Sequence, residues 1–133
     1  MREFFLPVPP PLSACFKNVR GVGRVKSKRY RSWCSEAGWT IKQQQTMLGL
    51  ARVKYTTIAV LLHPIDGSDI DNRFKPVLDL LKQMGEIEDD SYPHVLAVFG
   101  AWRIEVDKST AQVILMENAA LVFPGFEGIG APH

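Results

Sequence analysis

The stretch KYTTIAVLLH (Lys54–His63), then PIDGSDID (Pro64–Asp71), then NRFKPVLDLLKQMG (Asn72–Gly85) decides the fold. Its first block is rich in β-branched and apolar residues and predicts a well-buried strand. Pro64 and Gly67 break that pattern. From about Asn72 to Met84 the residues Phe74, Val77, Leu78, Leu81 and Met84 fall on one helical face. Pro76 is compatible with this helix only because it sits near the first turn, and Gly85 is placed to cap the end. The segment therefore predicts a buried strand, a polar crossing and an amphipathic helix.

Working outward, Arg2 to Leu6 predicts a first strand, stopped by Pro7, Pro9, Pro10 and Pro11. Ser13 to Ser27 is expected to be an exposed basic loop loosened by Gly21 and Gly23. A helix is expected from Lys28 to Leu50, with Tyr30, Trp33, Cys34, Ala37, Ile41, Met47 and Leu48 at largely helical spacing and Gly38 weakening its middle. His94 to Val106 and Ala111 to Glu117 predict two more strands joined by a turn at Asp107–Thr110. The order β–α–β–α–β–β implies an α/β or α+β fold: one domain over residues 1–117, a mixed sheet of about four strands with helices packed on it. Residues 118–133, rich in glycine and proline, are expected to form a surface extension or a partly disordered tail.

At 133 residues, 46% of them apolar and 23% charged, the chain suits one soluble domain with a core of its own. No run approaches the ~20 apolar residues that span a bilayer, so a membrane role is excluded from expectation. Glu3 and the early prolines interrupt what a signal peptide needs, and Cys15 and Cys34 form no disulfide framework. A reduced, cytoplasmic protein is expected.

The net charge is only +2, but its distribution is uneven. Seven bases and no acid lie between Lys17 and Arg31: Lys17, Arg20, Arg24, Lys26, Lys28, Arg29 and Arg31. Between Asp66 and Asp90 there are eight acids against three bases. A basic segment follows a phosphate backbone by displacing counterions. Carboxylates in such a protein repel that backbone unless a divalent cation bridges the two. Two solvated faces of opposite sign remain the plainer reading of charge alone.

In Ser68-Asp69-Ile70-Asp71-Asn72, an extended chain would point Asp69 and Asp71 the same way. Lys75 falls one helical turn later, placed to steady carboxylates, orient a water or meet charge on a phosphoryl oxygen. An antiparallel return after Gly85 would bring Asp89 or Asp90 back to the same sheet edge. Three carboxylates and a lysine, with His63, His94 and His133 scattered, point to magnesium or manganese rather than zinc. Asp71 equally fits a helix N-cap, and Asp89 and Asp90 fit turn positions, so spacing alone leaves both readings open.

Taken together, DIDNRFKPVLDLL–KQMGEIEDD resembles the core signature of the RusA family of Holliday-junction resolvases. That signature has an acid-x-acid-Asn, a lysine one helical turn on, an apolar helix ending at glycine and a paired acid. LPVPPP and the loop with Arg20, Gly21 and Arg24, then Lys26-Ser27-Lys28-Arg29-Tyr30, are similar to the family's proline-marked strand end and basic loop. The resemblance spans roughly Phe4 to Glu117. It implies a RusA-like fold and a magnesium-dependent endodeoxyribonuclease, with manganese as substitute. Such an enzyme is usually a homodimer that resolves four-way junctions in branched DNA by paired symmetric nicks, in recombination and repair, in bacteria and their phages or prophages. By position it implies Asp69, Asp71 and Asp90 as catalytic metal ligands, Lys75 as the active-site lysine and Asp89 as a supporting acid. DNA arms are expected on Arg24, Lys26, Lys28, Arg29 and Arg31, and Phe16 and Tyr30 fit either a stacking role or the core. The stretch His63–Ser68 is less basic than in many relatives, and the tail has no clear counterpart. A catalytically silent branched-DNA-binding module and a less selective nuclease are the competing expectations.

Overall fold

The computed structural model describes residues 2–49 and 56–117. The elements are β1 (Arg2–Pro7), β2 (Phe16–Val19), β3 (Gly23–Lys26), α1 (Lys28–Leu48), β4 (Thr56–Leu62), α2 (Phe74–Gln83), β5 (Val95–Trp102) and β6 (Thr110–Glu117). A mixed sheet runs in the order β1-β6-β4-β5, antiparallel except for the parallel β4–β5 pair, and β2 with β3 forms a separate hairpin. The expected α/β architecture, a four-stranded mixed sheet carrying two helices, is what forms.

Alternation along the strands sends Phe4, Leu6, Ile58, Val60, Leu62, Ala111, Val113 and Leu115 to one face, all buried. Tyr30, Trp33, Ala37 and Ile41 of α1 and Val77, Leu80 and Leu81 of α2 complete that core. Ser27 caps α1, its hydroxyl accepting from the Tyr30 N–H at 3.1 Å and donating to the Ala14 carbonyl at 2.6 Å. Gly85 ends α2 with φ +78°: its N–H reaches the Lys82 carbonyl and the Glu86 N–H reaches that of Leu81, the paired bonds of a glycine C-cap. Pro76 sits in the first turn, where no intrahelical donor is lost. Both cysteines are free, and burial pushes both thiols above their ordinary pKa, leaving them little thiolate for reaction.

Several expectations change. The basic loop contains a hairpin, with Asn18 opposite Arg24 and the chain reversing through Gly21 and Gly23, both at positive φ. Helix α1 ends at Leu48, and Met47 and Leu48 are exposed (86% and 59%) rather than on its buried face. Strand β5 stops at Trp102, after which the Arg103 N–H bonds the Leu62 carbonyl and the chain turns toward Asp107. The Asp107 turn forms as expected, its carboxylate accepting from the Ser109 N–H at 2.8 Å. Lys54, Tyr55, Leu50 and the 118–133 tail lie outside the described residues. Strands β4 and β5 are parallel, with α2 as the crossover between them.

Two polar contacts fix the helices. Glu86, fully buried, accepts from Arg2 Nε (2.6 Å), Arg2 Nη2 (3.1 Å) and Gln45 Nε2 (2.8 Å). This bidentate pair ties β1, α1 and the end of α2 together. The Trp33 indole N–H donates to the Pro7 carbonyl at 2.8 Å, holding α1 on the end of β1.

Candidate active site

Between β4 and α2 the chain crosses the end of the sheet and tightens into a 3-10 turn, Ile70–Arg73, that leads directly into the helix. Packing dictates this shape. Ile70 and Phe74 lie over Gly100 of β5, so closely that a Cβ there would meet Phe74 Cε1 at 2.5 Å and Ile70 Cδ1 at 3.1 Å. Arg73 is buried beneath the turn, donating from Nη1 to the Pro9 carbonyl at 2.6 Å and from Nε and Nη2 to Ser68 Oγ at 3.2 and 3.1 Å. The turn is thus pinned to the proline segment after β1. Nothing in the sequence around Arg73 signals this role, because its main acceptor is 64 residues away.

The turn corrects the geometry expected for the acids. Asp69 is extended (φ −82°, ψ 131°), but Asp71 is already inside the 3-10 turn, so strand alternation does not align the pair. Asp71 is not the helix N-cap either: Asp69 precedes the 3-10 turn and Arg73 precedes α2, and neither makes a side-chain capping bond. Both carboxylates are exposed and have no hydrogen bond or ion pair among the described residues.

Lys75 and Asp90 do come together. Lys75 Nζ donates to Asp90 Oδ2 at 2.9 Å and pairs with Asp79 Oδ1 at 3.1 Å. The segment after Gly85 therefore runs back along α2, and Asp90 reaches the helix start beside the 3-10 turn. Hydrogen bonds to Asp90 and then Asp79 raise the Lys75 pKa above 10.5, so this ammonium stays charged throughout the neutral range. Its folded-state contribution is present below that pH and fades only as pH rises past it. Lys75 is accordingly a donor and a positive charge, not a base. Asp89 stands apart, paired with Lys82 at 3.1 Å and accepting from Ser91; those bonds hold its carboxyl far below the usual range.

Donor chemistry fits a hard cation: Asp69, Asp71 and Asp90 offer only carboxylate oxygens. Among the described residues, however, no three His, Cys, Asp or Glu side chains gather as a ready ligand set. Asp90 is engaged by Lys75 instead.

Of the basic residues, Lys17 and Arg24 line a groove shared with Asn72 of this turn. Lys17, Arg24 and Lys26 are on the hairpin, and Lys28, Arg29 and Arg31 open α1. All are exposed, and none has an ion pair among the described residues. Three cations and no acid at a helix N-terminus oppose the helix dipole. Such an arrangement costs stability and concentrates positive potential where an anion would be attracted. Arg24 lies over the Phe16 ring at 4.0 Å, and Phe16 meets Tyr30 edge-on at 5.5 Å. Tyr30 is 3% exposed and belongs to the core, whereas Phe16 is half-buried. A groove of about 470 Å³ separates the hairpin from the 3-10 turn, lined by Phe16, Lys17, Asn18, Arg24 and Asn72 among others. Among the described residues no helix is long and apolar enough to cross a membrane. No protein-family model matches the chain, and no curated protein matches it.

Proposed function

We propose that this protein is a magnesium-dependent endodeoxyribonuclease that cuts branched DNA, four-way junctions foremost, acting as a homodimer in the cytoplasm. The observation that carries the reading is the 2.9 Å contact of Lys75 with Asp90, beside a turn whose Asp69 and Asp71 have no partner among the described residues. Lys75 holds Asp90 at the start of α2, directly after the turn that carries Asp69 and Asp71, and the basic residues nearby have no ion pair among the described residues. The resemblance of the same residues to the RusA signature supports it independently. Asp69, Asp71 and Asp90 would hold the ion, which when bound supplies Lewis-acid polarisation of the scissile phosphate and a more acidic water. Lys75 stabilises negative charge on the phosphoryl oxygens. Its pairing with Asp90 also holds that carboxylate near the turn. Arg24, Lys26, Lys28, Arg29 and Arg31 hold duplex arms through phosphates, which gives affinity but no sequence choice. Two symmetric nicks need two such sites, one from each protomer.

A second reading, a silent branched-DNA-binding module, draws on the absence of a closed three-acid cluster among the described residues. Incubating the protein with a labelled synthetic four-way junction and a linear duplex of matched length, with and without magnesium, separates the cases. Paired nicks in the junction alone, only with magnesium, support the proposal. Binding without nicks under any divalent ion supports the silent module, and equal cutting of both substrates supports a less selective nuclease. Light scattering that gives one protomer's mass at working concentration would count against the dimer.

A further inference from the structure

We infer that the groove between the β2–β3 hairpin and the 3-10 turn receives a single unpaired nucleotide of the DNA strand, with its base stacked on Arg24. This rests on the DNA-cutting reading above and adds what the strand must look like beside the site. The groove's volume, about 470 Å³, falls within the ~300–1,000 Å³ of small-ligand sites. It is far too small for a duplex, whose major groove alone is about 12 Å wide.

Its lining matches a nucleotide part by part. Arg24 is layered on the Phe16 ring at 4.0 Å, and Tyr30 steadies that ring edge-on. The guanidinium is thereby held as a platform, and planar arginine faces stack on bases as aromatic rings do. Among the described residues Arg24 and Lys17 have no ion pair and no acid lines the groove, so a phosphate meets no opposing charge from them. Asn72 supplies an amide, which both donates and accepts, to the edge of whichever base enters. Asn72 directly follows Asp71, so a nucleotide seated here places an adjoining phosphodiester at the acidic turn. The fold in this way couples strand opening to the position of the cut.

The test measures binding in chelator, so that cleavage plays no part. Two DNAs of equal length are compared, one fully paired and one carrying a single-stranded gap with 2-aminopurine at an unpaired position. Wild type should prefer the gapped DNA and change the 2-aminopurine fluorescence on binding. Arg24→Lys keeps the charge and loses the planar platform. It should lower the preference for gapped over paired DNA by on the order of tenfold, and Phe16→Leu should lower it in the same direction. An unchanged preference in Arg24→Lys overturns the inference, as does fluorescence that binding leaves untouched. If wild type binds neither DNA, the DNA-cutting reading itself fails. If it binds both without preference, only the groove assignment falls.

Discussion

The segment Lys17–Arg31 and the segment Asp66–Asp90 carry opposite charge, and the fold treats them oppositely. The cations of the first find no side-chain ion pair among the described residues, even where three of them crowd the start of α1. In the second, Asp79 and Asp90 meet Lys75, Asp89 meets Lys82, and Glu86 is buried against Arg2. Only Asp66, Asp69 and Asp71 are left without partners among the described residues. Glu86 and Asp89 are paired within the fold and Asp90 with Lys75 of the candidate site; the acids on the crossing before α2, like the basic residues, have no ion pair among the described residues. Unpaired charge at a defined place does little for stability, which makes it the better guide to function.

That contrast can be broken by substitution. Glu86→Ala should have the largest effect, a loss of about 3–5 kcal/mol in chemical denaturation, because it strands the Arg2 guanidinium. A change below about 1 kcal/mol would mean the paired acids are not structural. Gly100→Ala should cost about 1–3 kcal/mol by driving Phe74 and Ile70 off the sheet, and should impair cleavage because the 3-10 turn moves with them. Replacing Lys28, Arg29 and Arg31 together with Gln should act in the opposite sense on stability and binding. Thermal stability should hold or rise, since the helix dipole no longer opposes them. DNA affinity should fall, and its logarithmic salt slope should shrink by about 0.9 for each phosphate that these side chains no longer neutralise. A triple variant that loses stability and keeps its salt slope would place these cations with the structural charges. Gly38→Ala should have the smallest effect, a gain of about 0.5–1 kcal/mol, because the new methyl meets Met84 Sδ at an ordinary 3.5 Å.

How much of this was legible in the sequence follows from the range of each interaction. Strand β4, helix α2 and its glycine cap, and the Asp107 turn are local patterns, and the sequence predicts them. The β2–β3 hairpin escapes because Lys17, Asn18, Arg24 and Lys26 are polar and exposed, leaving no apolar alternation to detect. The 3-10 turn escapes because it is imposed by Gly100 and Pro9 from elsewhere in the chain. Glu86 looks like one acid in a solvated run until Arg2, 84 residues away, is seen to bury it. For the site, the Lys75–Asp90 partnership matches the expected proximity. The side-by-side alignment of Asp69 with Asp71 does not form, since it presumed extended backbone where packing requires a turn.

The most direct test is cleavage of a labelled four-way junction in magnesium by wild type beside Asp71→Asn, with junction binding measured on both proteins in chelator. Wild type should nick the junction while Asp71→Asn binds it equally well and leaves it intact. Equal nicking by the two proteins would contradict a catalytic role for the open acids on the turn.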